Sequence, residues 1–322
     1  MASITDYGDG ISAIDAEFMR PQATSIHLIV EKGRAAIVDT GSNHAVPRVL
    51  DALASKGLSP QDVDYVVLTH IHLDHAGGAG LLMSQLPNAR LTVHPRGARH
   101  IADPRRLVEG TIAVYGEEAA RRLYGDIVPV PAQRIVETPH EACLSLNGRE
   151  LRFIDTPGHA RHCVCVIDGG TGHIFAGDTF GLSYRELDVE EKRFIFPTTS
   201  PVQFDPPALH RSIDVLANHN PGAIYVTHYS QVRDIARLTA DLHRLLTAHE
   251  SLALEARDRG LRGLARHERM RQGIIQVAIE ESRRQGWTLS EERLLKVLGH
   301  DIELNAQGLG NWLDTPGQAG SD

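Results

Sequence analysis

The stretch Thr69-His70-Ile71-His72-Leu73-Asp74-His75-Ala76-Gly77-Gly78 decides how the rest of this chain reads. Three histidines and a carboxylate fall within six residues, behind the aliphatic run Tyr65-Val66-Val67-Leu68. That run predicts a buried strand, so the polar side chains emerge at its C-terminal end. His70 and His72 are two apart, and an extended backbone points both the same way. Asp74 and His75 then turn the chain into a helix predicted from about Ala76 to Leu86. Neutral imidazole and carboxylate are the donors that suit zinc, iron or manganese. The spacing differs from HExxH, in which two histidines share a helix face at i and i+4.

The form His-x-His-x-Asp-His resembles the signature of the metallo-β-lactamase superfamily. The resemblance implies an α/β fold, a four-layer αββα sandwich, with two metals and further ligands at later strand ends. Each has a match: Thr156-Pro157-Gly158-His159 after the strand-like Leu151–Asp155, Phe175-Ala176-Gly177-Asp178, and Tyr225-Val226-Thr227-His228. The resemblance covers residues 20–232. It implies that His70, His72 and His159 hold one metal, that Asp74, His75 and His228 hold the other, and that Asp178 bridges them. Two divalent ions, zinc first and iron or manganese next, are the cofactors so implied. Asp39-Thr40-Gly41 matches the Asp-x-Gly often found in this superfamily; Asp39 either holds the histidine loop from behind or is a turn aspartate.

With 322 residues, 42% hydrophobic and 23% charged, the chain is long enough for one large domain and an appendage. No apolar run approaches the roughly 18 residues of a membrane span, and no signal peptide is visible at Met1–Asp6. Cys143, Cys163 and Cys165 show no disulfide pattern; Cys163 and Cys165 read as small hydrophobes of a buried strand. These features give a cytoplasmic expectation. The net charge of −8 disfavours nucleic acid as a partner. The expected partners are a small-molecule substrate and a second copy in a homodimer, with no membrane.

Strands are predicted at Ser25–Glu31, Ala35–Val38, Arg90–His94, Ala142–Leu146, Glu150–Asp155, Cys163–Asp168, His173–Gly177 and Gly222–Thr227. A short strand pair or an edge strand precedes them in residues 1–20. Helices are predicted at His44–Lys56, with Ser42 or Asn43 as cap, and at Pro206–Asn218. Residues 96–140 interrupt the alternation with a helix over Leu107–Leu123. They form an insertion that lies over the active-site face or packs elsewhere. Residues 179–205 hold Phe180, Tyr184, Phe194, Phe196 and Phe204, which are a pocket wall or a satellite core.

After Ser230 the strands end. Helices are predicted over Asp234–Glu255, Leu261–Gln285 and Ser290–Leu298, with apolar faces at Leu238, Leu242, Leu245, Leu246 and at Ile274, Ile275, Ala278, Ile279. Arg257, Arg259, Arg262, Arg266, Arg269 and Arg271 read as a solvated face or as a contact for an anionic ligand or a partner. Residues 314–322 read as frayed. The organisation is thus a catalytic domain over 1–232 and a helical C-terminal extension over 233–322.

The chemistry expected is that of a metal-dependent hydrolase that uses a metal-bound hydroxide on a small ester, thioester or lactone. The resemblance points to stand-alone members near the glyoxalase II and acyl-homoserine-lactonase branches. Metal binding lowers the pKa of water from 15.7 to about 7. Asp74 orients the hydroxide. His162 is a candidate for ligand support or substrate contact, Tyr229 for hydrogen bonding a developing oxyanion, and Tyr184 more weakly so. The alternatives are a non-haem iron oxidoreductase of the persulfide dioxygenase type, and a low-turnover regulatory protein on the same scaffold, as in a quinolone-signal response protein.

Overall fold

The computed structural model describes residues 2–199, 202–286 and 290–315. It divides the chain into two compact units. The first comprises Met1–Asp155, His162–Gly177 and Gly222–Gln231; the second comprises Thr156–Arg161, Asp178–Pro221 and Val232–Asp322.

In the first unit β1 (Ile4–Gly8), β2 (Ile11–Asp15), β3 (Ser25–Glu31) and β4 (Arg34–Val38) form an antiparallel meander. The short helical connections α1 (Val46–Ser55), α2 (Leu73–Ala76) and α3 (Ala79–Gln85) then allow parallel addition of β5 (Val63–Val67) and β6 (Arg90–Val93), and α4 (Pro95–Ala102) follows β6. After α5 (Arg105–Tyr115) and α6 (Glu117–Tyr124), β7 (Ile135–Glu137) closes a seven-stranded sheet in sequence order. A second sheet runs in the order β13-β12-β11-β10-β9-β8, from β8 (Cys143–Leu146), β9 (Arg149–Asp155), β10 (Val164–Asp168), β11 (Ile174–Gly177), β12 (Ile224–Val226) and β13 (Ser230–Val232).

The inner strands of the first sheet are largely apolar on both faces because both faces are covered. Leu28, Ile37 and Val66 point towards Val49 and Leu53 of α1 and Leu82 and Met83 of α3. Their neighbours Ile29, Val38 and Val67 point the other way, onto Phe153, Val164, Phe175 and Tyr225 of the second sheet. The alternation has period two, as pleating requires.

Several local expectations need adjustment. The helix expected from Ala76 to Leu86 is two pieces, α2 and α3, broken at Gly77-Gly78. Added Cβ atoms there would meet the Leu73 carbonyl at 2.3 Å and the Ser42 carbonyl at 2.9 Å. Neither Ser42 nor Asn43 caps α1; a 3₁₀ turn over Asn43–Ala45 leads into it, with Pro47 in its first turn. The helix expected over Leu107–Leu123 is likewise split, at Gly116 with φ +79°.

The second unit holds α7 (Pro206–Asn218), α8 (Ile235–Asp258), α9 (Gly263–Arg284) and α10 (Glu291–Asp314). Asp205 caps α7 by accepting from Ala208 N, and Pro206 and Pro207 start it. The five aromatics of 179–205 are all buried. Phe194 stacks on Phe196, Phe196 meets His249 of α8 edge to face, and Phe204 meets Trp312 of α10. Of the arginine cluster, Arg257, Arg259, Arg266, Arg269 and Arg271 each pair with a carboxylate, so the face is charge-balanced. Helix α10 runs well beyond the expected Leu298. Of the tail expected to fray, residues 316–322 lie outside the described residues. No described helix is long and apolar enough to cross a membrane.

Burial sets an acid limit on this fold. It pushes His27 down to about 4, against the Asp39 charge, and pushes His249 down to about 4 as well. Between about 6.5 and 4 the unfolded chain therefore binds protons that the folded chain does not. Stability falls as pH drops through this window, by about 1.4 kcal/mol per pH unit for each histidine. Denaturant unfolding at pH 7 and pH 5 should show the loss. His27→Gln should reduce its slope; an unchanged slope would remove His27 from this account.

Candidate metal centre

Strand β5 ends at Val67, and Leu68 keeps the ladder through Leu68 N to Thr92 O. The chain then delivers Thr69 to His75 into a buried position, with His70 and His75 fully buried. His70 Nε2 and His72 Nδ1 lie 3.0 Å apart. A tetrahedral ion with bonds of about 2.0–2.1 Å needs nitrogens roughly 3.3 Å apart, so the pair fits two ligands of one ion.

Asp39 organises this loop from the end of β4. Its Oδ1 accepts from Thr69 N at 2.9 Å, and Thr69 Oγ1 reaches both carboxylate oxygens. Its Oδ2 accepts from Thr227 Oγ1 at 2.9 Å and from His75 Nδ1 at 2.8 Å. Of its two readings from sequence, the loop-holding one is the observed arrangement. The carboxylate fixes the His75 tautomer, with the proton on Nδ1 and the lone pair on Nε2. His228 is fixed the same way, since its Nδ1 lies 2.9 Å from the Ala23 carbonyl, which can only accept. Asp74 Oδ2 stands 3.3 Å from His228 Nε2 and 3.6 Å from His75 Nε2. One ligand atom from each of the three lies within 4.8 Å of the others. Two imidazole lone pairs and a carboxylate that converge in a buried place fit a cation, so this donor set suits a divalent metal.

In the second unit, His159 Nδ1 lies 3.2 Å from the Thr198 carbonyl, which leaves Nε2 as the ligand atom. That Nε2 is 3.5 Å from Asp178 Oδ2. The loop around His159 is shaped by Gly158, with φ +137°, where a Cβ would strike the backbone of Leu209 at 2.3 Å. Gly177, with φ +53°, makes the turn before Asp178; a Cβ there would meet Thr69 Oγ1 at 2.6 Å.

Among the other candidates, the His162 ring lies 6.2 Å from that of His70 and 5.7 Å from that of His72. Tyr229 is buried at 3% exposure. Tyr184 donates to Asp301 Oδ1 at 3.1 Å in the second unit. The insertion reaches the loop after β4. His44 Nε2 lies 3.1 Å from the Arg122 carbonyl, Asn43 donates to the Asp126 carbonyl, and Phe18 stacks on Tyr124. That loop also carries Thr40, whose N–H donates to the His75 carbonyl at 2.7 Å. Burial first, and then the Asp74 charge, push the Tyr124 phenol up.

Sequence reasoning missed Thr69 and Thr227 as partners of Asp39. Their signal was present, since each directly precedes a ligand-type histidine.

A family model described as the metallo-beta-lactamase superfamily matches residues 19–228. The chain belongs to this superfamily. Its fold is accordingly the α/β sandwich of that family with C-terminal helices. The metallo-beta-lactamase fold-containing protein ST1585 of Sulfurisphaera tokodaii is 26% identical over 56% of this chain and 64% of its own length. Its crystal structure aligns over 94% of this chain and 98% of that chain, at 21% identity and a TM-score of 0.65. A hydroxyacylglutathione hydrolase of Xanthomonas campestris is 28% identical over 55% of this chain and 51% of its own. The match thus spans under two thirds of the first of these relatives and about half of the second. The chemotaxis sensor ODP, solved as a peroxy diiron species, shares the fold at a TM-score of 0.52 and 17% identity, over 75% of this chain and 94% of that chain. Family and donor groups together support a metallo-hydrolase in general terms.

Proposed function

We propose that this protein hydrolyses a small ester, thioester or lactone at a dinuclear centre formed by His70, His72, Asp74, His75, His159, Asp178 and His228. The observation that carries this reading is the fixed tautomer of His75 and of His228 beside Asp74, which presents acceptors only to one point. Chain continuity supports the rest of the set. Asp178 directly follows Gly177, and His159 is three residues from His162, while Gly177 and His162 both belong to the unit that holds His70 and His72. The similarity to a hydroxyacylglutathione hydrolase supports an acyl substrate.

When bound, two ions, zinc first and iron or manganese next, would supply Lewis acidity towards a carbonyl oxygen and a water acidified to near neutral pKa. Asp74 then orients the attacking water and accepts its proton. Asp178 would hold both ions in this reading, and its carboxylate would balance part of their charge. Asp39 keeps the His75 proton on Nδ1. His162 supports the His70 and His72 rings, and Tyr229 donates to the developing oxyanion in this reading.

Asp74→Asn should keep the fold and lower kcat by about a hundredfold or more, the scale of a lost acid–base group. Elemental analysis should find two ions per chain, chelation should abolish turnover of a thioester and lactone panel, and added metal should restore it. Turnover that resists chelation, or that a serine- or cysteine-directed reagent stops, would refute this mechanism. The likeness to the peroxy diiron chemotaxis sensor favours a second reading, an iron-dependent oxidoreductase or a low-turnover sensor. Iron as the resident metal, with consumption of dioxygen or persulfide and no ester turnover, would select it.

A further inference from the structure

Helices α7 and α8 of the second unit carry a chain of four titratable groups that the proposed reaction does not use. His210 of α7 and His243 of α8 face each other with their Nδ1 atoms 2.5 Å apart. Their ring planes are within 8° and their centroids 4.8 Å apart, which sets the two nitrogens head to head. Behind them, His210 Nε2 lies 2.8 Å from Glu250 Oε1, and His243 Nε2 lies 2.9 Å from Asp214 Oδ1. An ionised carboxylate only accepts, so each imidazole carries its proton on Nε2 and turns the Nδ1 lone pair to the other ring. Two lone pairs at this distance repel unless a cation lies between them.

We propose that His210 and His243 form a second metal site, separate from the seven-residue set, that takes one divalent transition ion such as Zn²⁺, Ni²⁺ or Cu²⁺. A carboxylate behind each imidazole is the arrangement that fixes tautomer and raises ligand basicity in metal sites. The same tautomer logic operates at His75 and Asp39, where the ligand nitrogen is the one left by the carboxylate contact. Both rings are about a quarter exposed, at 27% and 26% of the side chain, so an ion can reach them and water completes its coordination. A tetrahedral ion needs the nitrogens roughly 3.3 Å apart, which a small turn of each partly exposed ring provides. The ion would tie α7 to α8. Helix α7 also supports the His159 loop: Ser212 Oγ donates to the Pro157 carbonyl at 2.6 Å, and Leu209 lies against Gly158. The site therefore stiffens that loop.

The test is metal binding by the full chain, followed by equilibrium dialysis and elemental analysis after the seven-residue set has been saturated with zinc. Wild type should hold one more Zn²⁺, Ni²⁺ or Cu²⁺ per chain than His243→Gln or His210→Gln, with Cu²⁺ the tightest. Asp214→Asn should keep the extra ion but bind it about tenfold or more weakly. A thermal midpoint that rises with added metal in wild type and not in His243→Gln would agree. Equal metal content in wild type and both glutamine variants would overturn the proposal and leave a shared proton as the cation between the rings. The readout is a difference between variants. Failure of the dinuclear hydrolase reading would change all of them alike.

Discussion

Asp39→Asn is expected to leave the chain folded and to strip metal from the His75 position. The asparagine oxygen can still accept from Thr69 N, as Asp39 Oδ1 does at 2.9 Å. Its amide would then face His75 Nδ1, so donor meets donor. His75 escapes by moving its proton to Nε2, which removes the lone pair that a metal needs. Loss of such a partner costs about 10–100-fold in metal affinity. Asp39→Ala is expected to do more. It leaves Thr69 N, Thr69 Oγ1, Thr227 Oγ1 and His75 Nδ1 in a buried place with their common acceptor gone. At about 1–3 kcal/mol for each unsatisfied buried donor, the loss of stability should be about 4 kcal/mol or more. Metal titration and denaturant unfolding of the two variants separate the effects. If Asp39→Asn bound metal as wild type does, the tautomer argument for His75 would fail.

The part of this centre that was legible in the sequence is the part written by local rules. The His-x-His-x-Asp-His stretch announces itself because an aliphatic strand of period two must end where those polar residues begin. Asp39 was legible as a candidate but not as an organiser, because Thr227 is 188 residues away and meets it only through the fold. The insertion was legible as helical. Its break was not, because one glycine, Gly116, is compatible with a helix interior or with a stop. The opposite misjudgement occurred at α10. Gly299 stands inside that helix, and an added Cβ there would meet nothing within 4 Å, so the glycine reflects no packing need that a sequence could signal. The His210–His243 pair was not legible at all. The residues stand 33 apart on two helices, and neither has a local pattern that distinguishes it from a surface histidine.

Arg149→Ala is expected to be among the most destabilising single changes in the first unit, although Arg149 is not one of the ligand-type residues. Arg149 opens β9 and Asp168 closes β10. Their Nε–Oδ1 and Nη2–Oδ2 contacts are both 2.5 Å, with side-chain exposures of 4% and 0%. Arg149 Nη1 also donates to the Asp9 carbonyl at 2.6 Å, which ties the β1–β2 turn to the second sheet. Burial by itself would push the Asp168 carboxyl up. The hydrogen bonds from Arg149 and Thr171 outweigh it and hold the carboxyl below the usual carboxylate value. A lowered carboxylate contributes stability that is present above the unfolded value near 3.8 and is lost as pH falls through the lower folded value. Without Arg149 the sign reverses. Asp168 becomes a buried charge with only Thr171 and Gly170 as donors. The loss should be about 3–5 kcal/mol at pH 7, and smaller at pH 4, where protonation relieves it. Arg149→Met with Asp168→Leu removes both charges and should recover much of the difference, since an apolar pair of similar volume is often as stable as a buried ion pair. Urea unfolding of the wild type and the two variants at both pH values decides the matter. A loss for Arg149→Ala that is equal at pH 7 and pH 4 would show that Arg149 acts through packing and not through the charge of Asp168.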